Sequence, residues 1–62
     1  MVTVNGYSNM FLIHQKKFNT IKLAKEYALL ITEKACFFKV LVLKNNEVIG
    51  GLVFDGIKYI NV

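Results

Sequence analysis

The hydrophobic pattern changes its period twice along the chain, which separates two strand regions from one helical region. Residues 10–18 start apolar on both sides and end polar, so they predict a strand that leaves the core towards its end. Ahead of this strand, residues 2–4 are followed by Asn5-Gly6, a pair that suits the positive φ angles of a type I′ hairpin turn. A frayed chain terminus is the alternative for this segment.

Residues 21–36 have the periodicity of a helix. Asn19 or Thr20 can cap it, because a side-chain oxygen there can accept a hydrogen bond from the first free backbone N–H groups. One half of the helical wheel carries Ile21, Leu23, Ala24, Tyr27, Ala28, Leu30, Ile31 and Ala35. The other half is mainly charged, so the pattern predicts a helix lying flat on a sheet.

From residue 37 the period becomes two, which predicts three antiparallel strands at residues 37–44, 47–54 and 57–61. Asn45-Asn46 and Asp55-Gly56 suit two-residue turns between them, and the first turn places Lys44 opposite Glu47. The sequence therefore predicts an α+β fold in a single domain of residues 1–62. One helix packs on an antiparallel sheet, in the order β(β)-α-β-β-β, with a C-terminal three-stranded meander.

Both faces of this meander are apolar. One is predicted to carry Leu41, Leu43, Val48, Leu52, Phe54, Ile57 and Tyr59, and the other Phe38, Val40, Val42, Ile49, Val53, Ile60 and Val62. A single helix covers one face, so the other is left for the N-terminal hairpin or a second subunit. The predicted self-interface comprises Val40, Val42, Ile49, Val53 and Ile60. Gly50-Gly51, in mid-strand, indicates a bulge or the close approach of another backbone.

The size of the chain also favours self-association. A domain of 62 residues buries only about 60% of the surface its unfolded form exposes, and such domains usually need a disulfide, a metal or a partner subunit. Cys36 and His14 are the only residues of their types, and 55% of the chain is hydrophobic with a mean hydropathy of +0.44. We expect a homo-oligomer. We also expect a cytoplasmic protein without a membrane partner, since no apolar run is long enough to span a bilayer.

The reactive side chains do not match a known catalytic pattern. Glu26 and Glu33 lie on the polar side of the helix, Asp55 fits its turn, and His14 stands at the polar end of a strand, where a surface position is the usual role. Cys36 has no CxxC context and is interpreted as a structural thiol. The glycine spacing matches no phosphate-binding loop. We therefore expect no enzymatic activity, no cofactor and no metal site.

Four lysines, Lys16, Lys17, Lys22 and Lys25, surround the predicted helix start without an intervening acid. Free N–H groups and the helix dipole favour an anion at this end, so the four are candidate anion- or nucleic-acid-binding residues. The alternative is that exposed lysines keep an apolar protein soluble. The net charge of +4 includes no arginine, the residue best suited to bidentate contacts with phosphate and guanine, which disfavours sequence-specific DNA recognition.

Leu29 stands at the centre of the charged side of the helix, near Glu26 and Glu33. An apolar residue with a charged rim is typical of a helix surface that meets a partner, so these three form a candidate partner-binding site. The leading hypothesis is a small non-enzymatic interaction protein, of the kind that phages and mobile elements encode. It would be a homodimer that binds or modulates another macromolecule. The alternative is a weak, sequence-nonspecific nucleic-acid binder that uses the lysine cluster.

Overall fold

The computed structural model describes residues 1–34 and 37–61. These form β1 (Val2–Ser8), β2 (Phe11–Phe18), α1 (Ile21–Lys34), β3 (Lys39–Lys44), β4 (Glu47–Phe54) and β5 (Tyr59–Asn61). All neighbouring strands pair antiparallel, in the order β2-β1-β3-β4-β5, and α1 packs on one face of the sheet. The predicted α+β class, with one helix on an antiparallel sheet and a C-terminal meander, is confirmed.

Thr20 caps the start of α1. Its Oγ1 accepts a hydrogen bond from the backbone N–H of Leu23 at 3.2 Å, and its carbonyl accepts one from Ala24. One of the free amide groups that begin any helix is thereby satisfied by the side chain. Of the two predicted caps, Asn19 and Thr20, the structure therefore has Thr20. The predicted helix continues to residue 36, and its last two positions lie outside the described residues.

The core lies between α1 and the middle strands of the sheet. Ala24, Ala28 and Ile31 face β1 and β3, where Val4, Val40 and Val42 have less than 2% of their surface exposed. Because alanine side chains are small, the helix axis can approach the sheet closely along the line of Ala24 and Ala28.

Two leucines of α1 were predicted on its buried half and are exposed instead. Leu23 is 50% exposed and Leu30 is 43% exposed. Each precedes a buried residue by one position, which rotates its side chain by about 100° away from the sheet. The prediction is wrong because it ranked residues by hydrophobicity, which favours leucine, whereas the smaller alanines make the contact with the sheet.

The first hairpin turns at Asn9-Met10, between the paired residues Ser8 and Phe11. Asn9 has a φ of 61°, a value that asparagine tolerates better than most residues. The predicted turn at residues 5–6 is wrong, because both residues lie within β1. Gly6 serves packing instead: a Cβ added to it would lie 2.5 Å from the ring of Phe37.

The turn between β3 and β4 agrees with its prediction. Asn45 and Asn46 have φ angles of 53° and 65°, the positive values that a type I′ turn requires at both central positions. Lys44 consequently pairs with Glu47 and Leu43 pairs with Val48.

One extra residue in β4 produces a bulge next to that turn. Leu43 pairs with Val48 but Val42 pairs with Gly50, so Ile49 has no residue opposite it. Gly51 has a φ of 156°, and an added Cβ would collide with the backbone oxygen of Val40. Gly50-Gly51 predicted a bulge or the close approach of a second backbone, and the structure contains both.

The loop between β4 and β5 is longer than predicted. Phe54 pairs with Tyr59, so four residues connect the strands and the predicted two-residue turn is wrong. Asp55 holds this loop: its Oδ1 accepts hydrogen bonds from the backbone N–H groups of Lys58 and Ile57, both at 2.8 Å. These two bonds hold the pKa of Asp55 below its usual value, because they stabilise the ionised carboxylate.

The two glycines of the bulge should respond in opposite ways to alanine. Gly51→Ala should lower the free energy of unfolding by roughly 1–3 kcal/mol, because its φ and the Val40 carbonyl exclude a Cβ. Gly50→Ala is the matched control: its added Cβ meets only the Cε of Lys25, at 3.7 Å, so it should leave stability unchanged or raise it by about 0.5–1 kcal/mol. Urea unfolding of both variants measures this. Equal losses at the two positions would contradict the close contact assigned to Gly51.

Asp55 should make the stability of the fold depend on acid. Its pKa is lower in the folded protein, so its contribution is fully present above its unfolded value of about 3.9 and is lost as the pH falls through the folded value. Asp55→Asn keeps an oxygen acceptor but should remove this part of the pH dependence. Urea titrations of parent and variant at several pH values test the prediction, and parallel curves would contradict it.

Candidate interaction surface

The sheet face opposite α1, here called the open face, is apolar over its last three strands. Cross-strand partners share a face, which places five side chains together: Leu41, Leu43, Val48, Val53 and Ile60. We call these the apolar strip. Val48 is 50% exposed and Ile60 is 46% exposed. Within the described residues, the helix packs against the other face, so no second layer covers the strip.

The other half of the open face, over β1 and β2, is polar. The Nε2 of Gln15 donates to the Oδ1 of Asn5 at 2.9 Å, and the Nδ2 of Asn5 donates to the hydroxyl of Tyr7 at 3.4 Å. These bonds explain how Asn5 can be 92% buried on a face without a covering layer, since its amide is satisfied by its neighbours. The Nζ of Lys39 lies 4.9 Å from the centre of the Tyr7 ring, a favourable cation–π arrangement.

The predicted self-interface residues do not share a surface. Val40 and Val42 lie in the core, and Ile49 packs against that core from its edge. Val53 and Ile60 lie on the open face. The predicted grouping is wrong because β4 contains an extra residue after Val48. From that point each side chain of β4 lies on the opposite face from the one predicted by strict alternation. Self-association itself stays a prediction.

The tip of the first hairpin is also apolar and exposed. Met10 is 89% exposed and Phe11 is 74% exposed, and Leu12 and Ile13 beside them are exposed as well. The sequence pattern had predicted this half of β2 in the core. It lies outside because β2 is an edge strand, and α1 contacts β2 less than it contacts β1, β3 and β4.

The four candidate lysines are distributed over different surfaces. Lys16 lies on the β2 side of α1, with its Nζ 4.9 Å from the centre of the Tyr27 ring. Lys25 lies on the opposite side of the helix, beside Gly50 of β4. Lys17 pairs with Thr3 on the open face, and Lys22 is exposed on α1. These positions do not make one continuous basic patch, although all four side chains belong to the region around the helix start.

The candidate partner-binding residues of α1 are exposed. Leu29 is 55% exposed, and Glu26 and Glu33 are exposed on the same helix. Leu23 and Leu30 extend the apolar part of this outer surface, which is therefore more hydrophobic than the sequence pattern indicated. Leu29 also lines a groove between α1 and β4.

Sequence reasoning missed a polar contact between β2 and α1. The Nε2 of His14 lies 2.6 Å from the hydroxyl of Tyr27, and their rings stack with centres 5.7 Å apart. Phe18 packs against the same tyrosine ring, at 5.1 Å between centres. The signal was present in the alternation of His14, Lys16 and Phe18, which places all three on the helix side of β2.

The remaining chemistry of the described residues is sparse. In residues 1–34 and 37–61, no three of His, Cys, Asp and Glu gather closely enough to bind a metal ion. Over the same residues, no helix has the length and hydrophobicity needed to cross a membrane. Cys36, predicted to be a structural thiol, lies outside the described residues. No known protein family, curated protein or solved structure matches the chain.

The contact between His14 and Tyr27 should be measurable as a coupling energy. Tyr27→Phe and His14→Leu each remove one partner, and the double variant should show a coupling of about 0.5–1.5 kcal/mol, the usual net value for such a hydrogen bond. Urea unfolding of the four proteins in the cycle measures it. Strictly additive losses would show that the hydrogen bond contributes nothing in solution.

Proposed function

We propose that the chain is a small non-enzymatic interaction protein that forms a homodimer through its open face. The observation that supports this is the apolar strip, five neighbouring aliphatic side chains on a sheet face that the helix does not cover. Exposed apolar patches of this kind mark protein interfaces. A second copy placed on the strip would supply the missing layer of a two-sheet packing.

The area of the open face is at the lower limit for a specific interface. A sheet of five strands is about 24 Å wide and about 20 Å long at the usual strand spacing and rise. The whole face of one subunit then offers roughly 500 Å², of which the apolar strip covers about three of the five strands, and two subunits bury at most about 1,000 Å² in total, the lower limit for a stable interface. Because the contact would be mainly aliphatic, screening by salt should not weaken it.

The partner that the homodimer binds or modulates would meet the outer surface of α1. Leu23, Leu29 and Leu30 are exposed there beside Glu26 and Glu33. Apolar anchors with a charged rim are the arrangement found at the centre of many interfaces. The open face and this helix surface lie on opposite sides of the sheet, so both can be occupied at once.

Val48→Lys should convert the homodimer to a monomer, because it places a charge in the centre of an aliphatic contact. Leu23→Lys is the matched control: Leu23 has the same 50% exposure but lies on α1, so this variant should remain dimeric. Size exclusion coupled to light scattering, in low and high salt, measures the mass against the 7.1 kDa of one chain.

Two results would overturn the proposal. A parent protein that is folded by circular dichroism but monomeric at micromolar concentration would reject self-association. Dissociation by Leu23→Lys but not by Val48→Lys would move the self-interface from the open face to the helix.

A further inference from the structure

A groove lies on the helix side of the sheet, where α1 ends its coverage of β4. Its volume is about 330 Å³, at the low end of the range for ligand pockets. Its lining includes Ala28, Val42 and Leu52, all buried, together with the more exposed Leu29 and Ile49. The groove exists because α1 is about 10 Å wide while the sheet is about 24 Å wide, so one helix leaves part of β4 and β5 bare.

Glycine at position 50 keeps this groove open, although the backbone conformation there does not require glycine. Unlike Gly51, Gly50 has no positive φ, and a Cβ there would make only an ordinary contact, at 3.7 Å from the Cε of Lys25. Glycine in mid-strand lowers stability relative to a residue with a side chain. A stabilising side chain is therefore possible at position 50, and it would occupy the groove.

Lys25 gives the groove its electrostatic character. It is the only charged residue in the described lining, and Asn61 is the only other polar side chain. An aliphatic floor with one cation at its rim is complementary to an aliphatic chain that ends in a carboxylate. We propose that the groove binds a medium-chain monocarboxylate, with the alkyl chain against the accessible side chains of Leu29 and Ile49 above the buried Leu52, and the carboxylate at Lys25.

The volume limits the size of the ligand. The groove is partly open to solvent, and at roughly 30 Å³ for each water-sized group in a liquid its 330 Å³ corresponds to at most about ten non-hydrogen atoms, so octanoate is a suitable probe. The Cε of Lys25 lies beside Gly50, so the methylene groups of this side chain extend the apolar wall next to its charge. This site lies on the opposite side of the sheet from the apolar strip, and it does not depend on the homodimer.

Titration of the protein with octanoate, followed by amide NMR, tests the site. Saturable shifts should concentrate on Ala28, Leu29 and residues 49–52. Gly50→Val should abolish them while it raises the midpoint of thermal unfolding and leaves the oligomeric state unchanged. Retained binding by Gly50→Val, shifts that do not saturate, or shifts centred on residues 10–13 would each overturn the proposal, the last because it indicates non-specific adsorption to the apolar hairpin tip.

The role of the carboxylate is tested separately. Lys25→Gln should weaken octanoate binding by roughly fivefold, the upper end for a solvent-exposed ion pair, and should leave the weaker binding of octanol unchanged. Lys22→Gln removes the same charge from the same helix outside the groove, so it should have no effect. Equal effects of the two variants, or equal binding of octanol and octanoate to the parent, would reject the carboxylate. Octanoate binding to a monomeric protein would reject the homodimer alone.

Discussion

The structure depends on one mismatch of dimensions: a single 14-residue helix has to cover a five-stranded sheet. The contact between them is narrow, because the helix buries only Ala24, Ala28 and Ile31 against the valines of β1 and β3. Everything beyond that stripe is less protected. The apolar hairpin tip and the groove beside α1 follow from a layer that is too narrow for the sheet beneath it, and the open face is bare because the helix packs on the other side of the sheet.

The bulge decides which apolar residues the narrow layer protects. Without the extra residue in β4, Leu52 and Val48 would share a face; with it, Leu52 joins the core beside Val40 while Val48 remains on the open face with Leu43. The apolar strip therefore does not result from an excess of hydrophobic residues alone. It results from the change of register at Ile49, two residues before Gly51, whose close contact with the backbone of Val40 excludes a side chain.

Sequence reasoning succeeded where a feature depends on a few adjacent residues. Asn45-Asn46 predicted its turn, Thr20 its cap and Gly51 its bulge, because each is determined by local backbone geometry. It failed where a distant residue decides the outcome. Gly6 resembled a turn residue, yet it is required by the ring of Phe37, which is 31 positions later in the chain.

The same distinction explains the candidate site. Exposure of Leu29 could be read from its position on the wheel, but the separation of Lys16 from Lys25 could not, since it depends on which flank of α1 faces which strand. A second apolar surface on the sheet was predicted correctly, but the residues assigned to it were wrong. A change of one residue in register is enough to move a side chain from the core to the open face.

Position 50 shows how the narrow helix and the bulge act together. Gly51 is required by its contact with the backbone of Val40, whereas Gly50 has no positive φ and an added Cβ there would meet only the Cε of Lys25, at 3.7 Å. In a protein whose core is this small, an unfilled position next to buried Val42 and Leu52 forgoes stabilisation that even one aliphatic side chain would provide. Selection for stability alone would therefore fill the groove. The proposed carboxylate site accounts for the unfilled position, with Lys25 at the rim of the groove as the opposing charge.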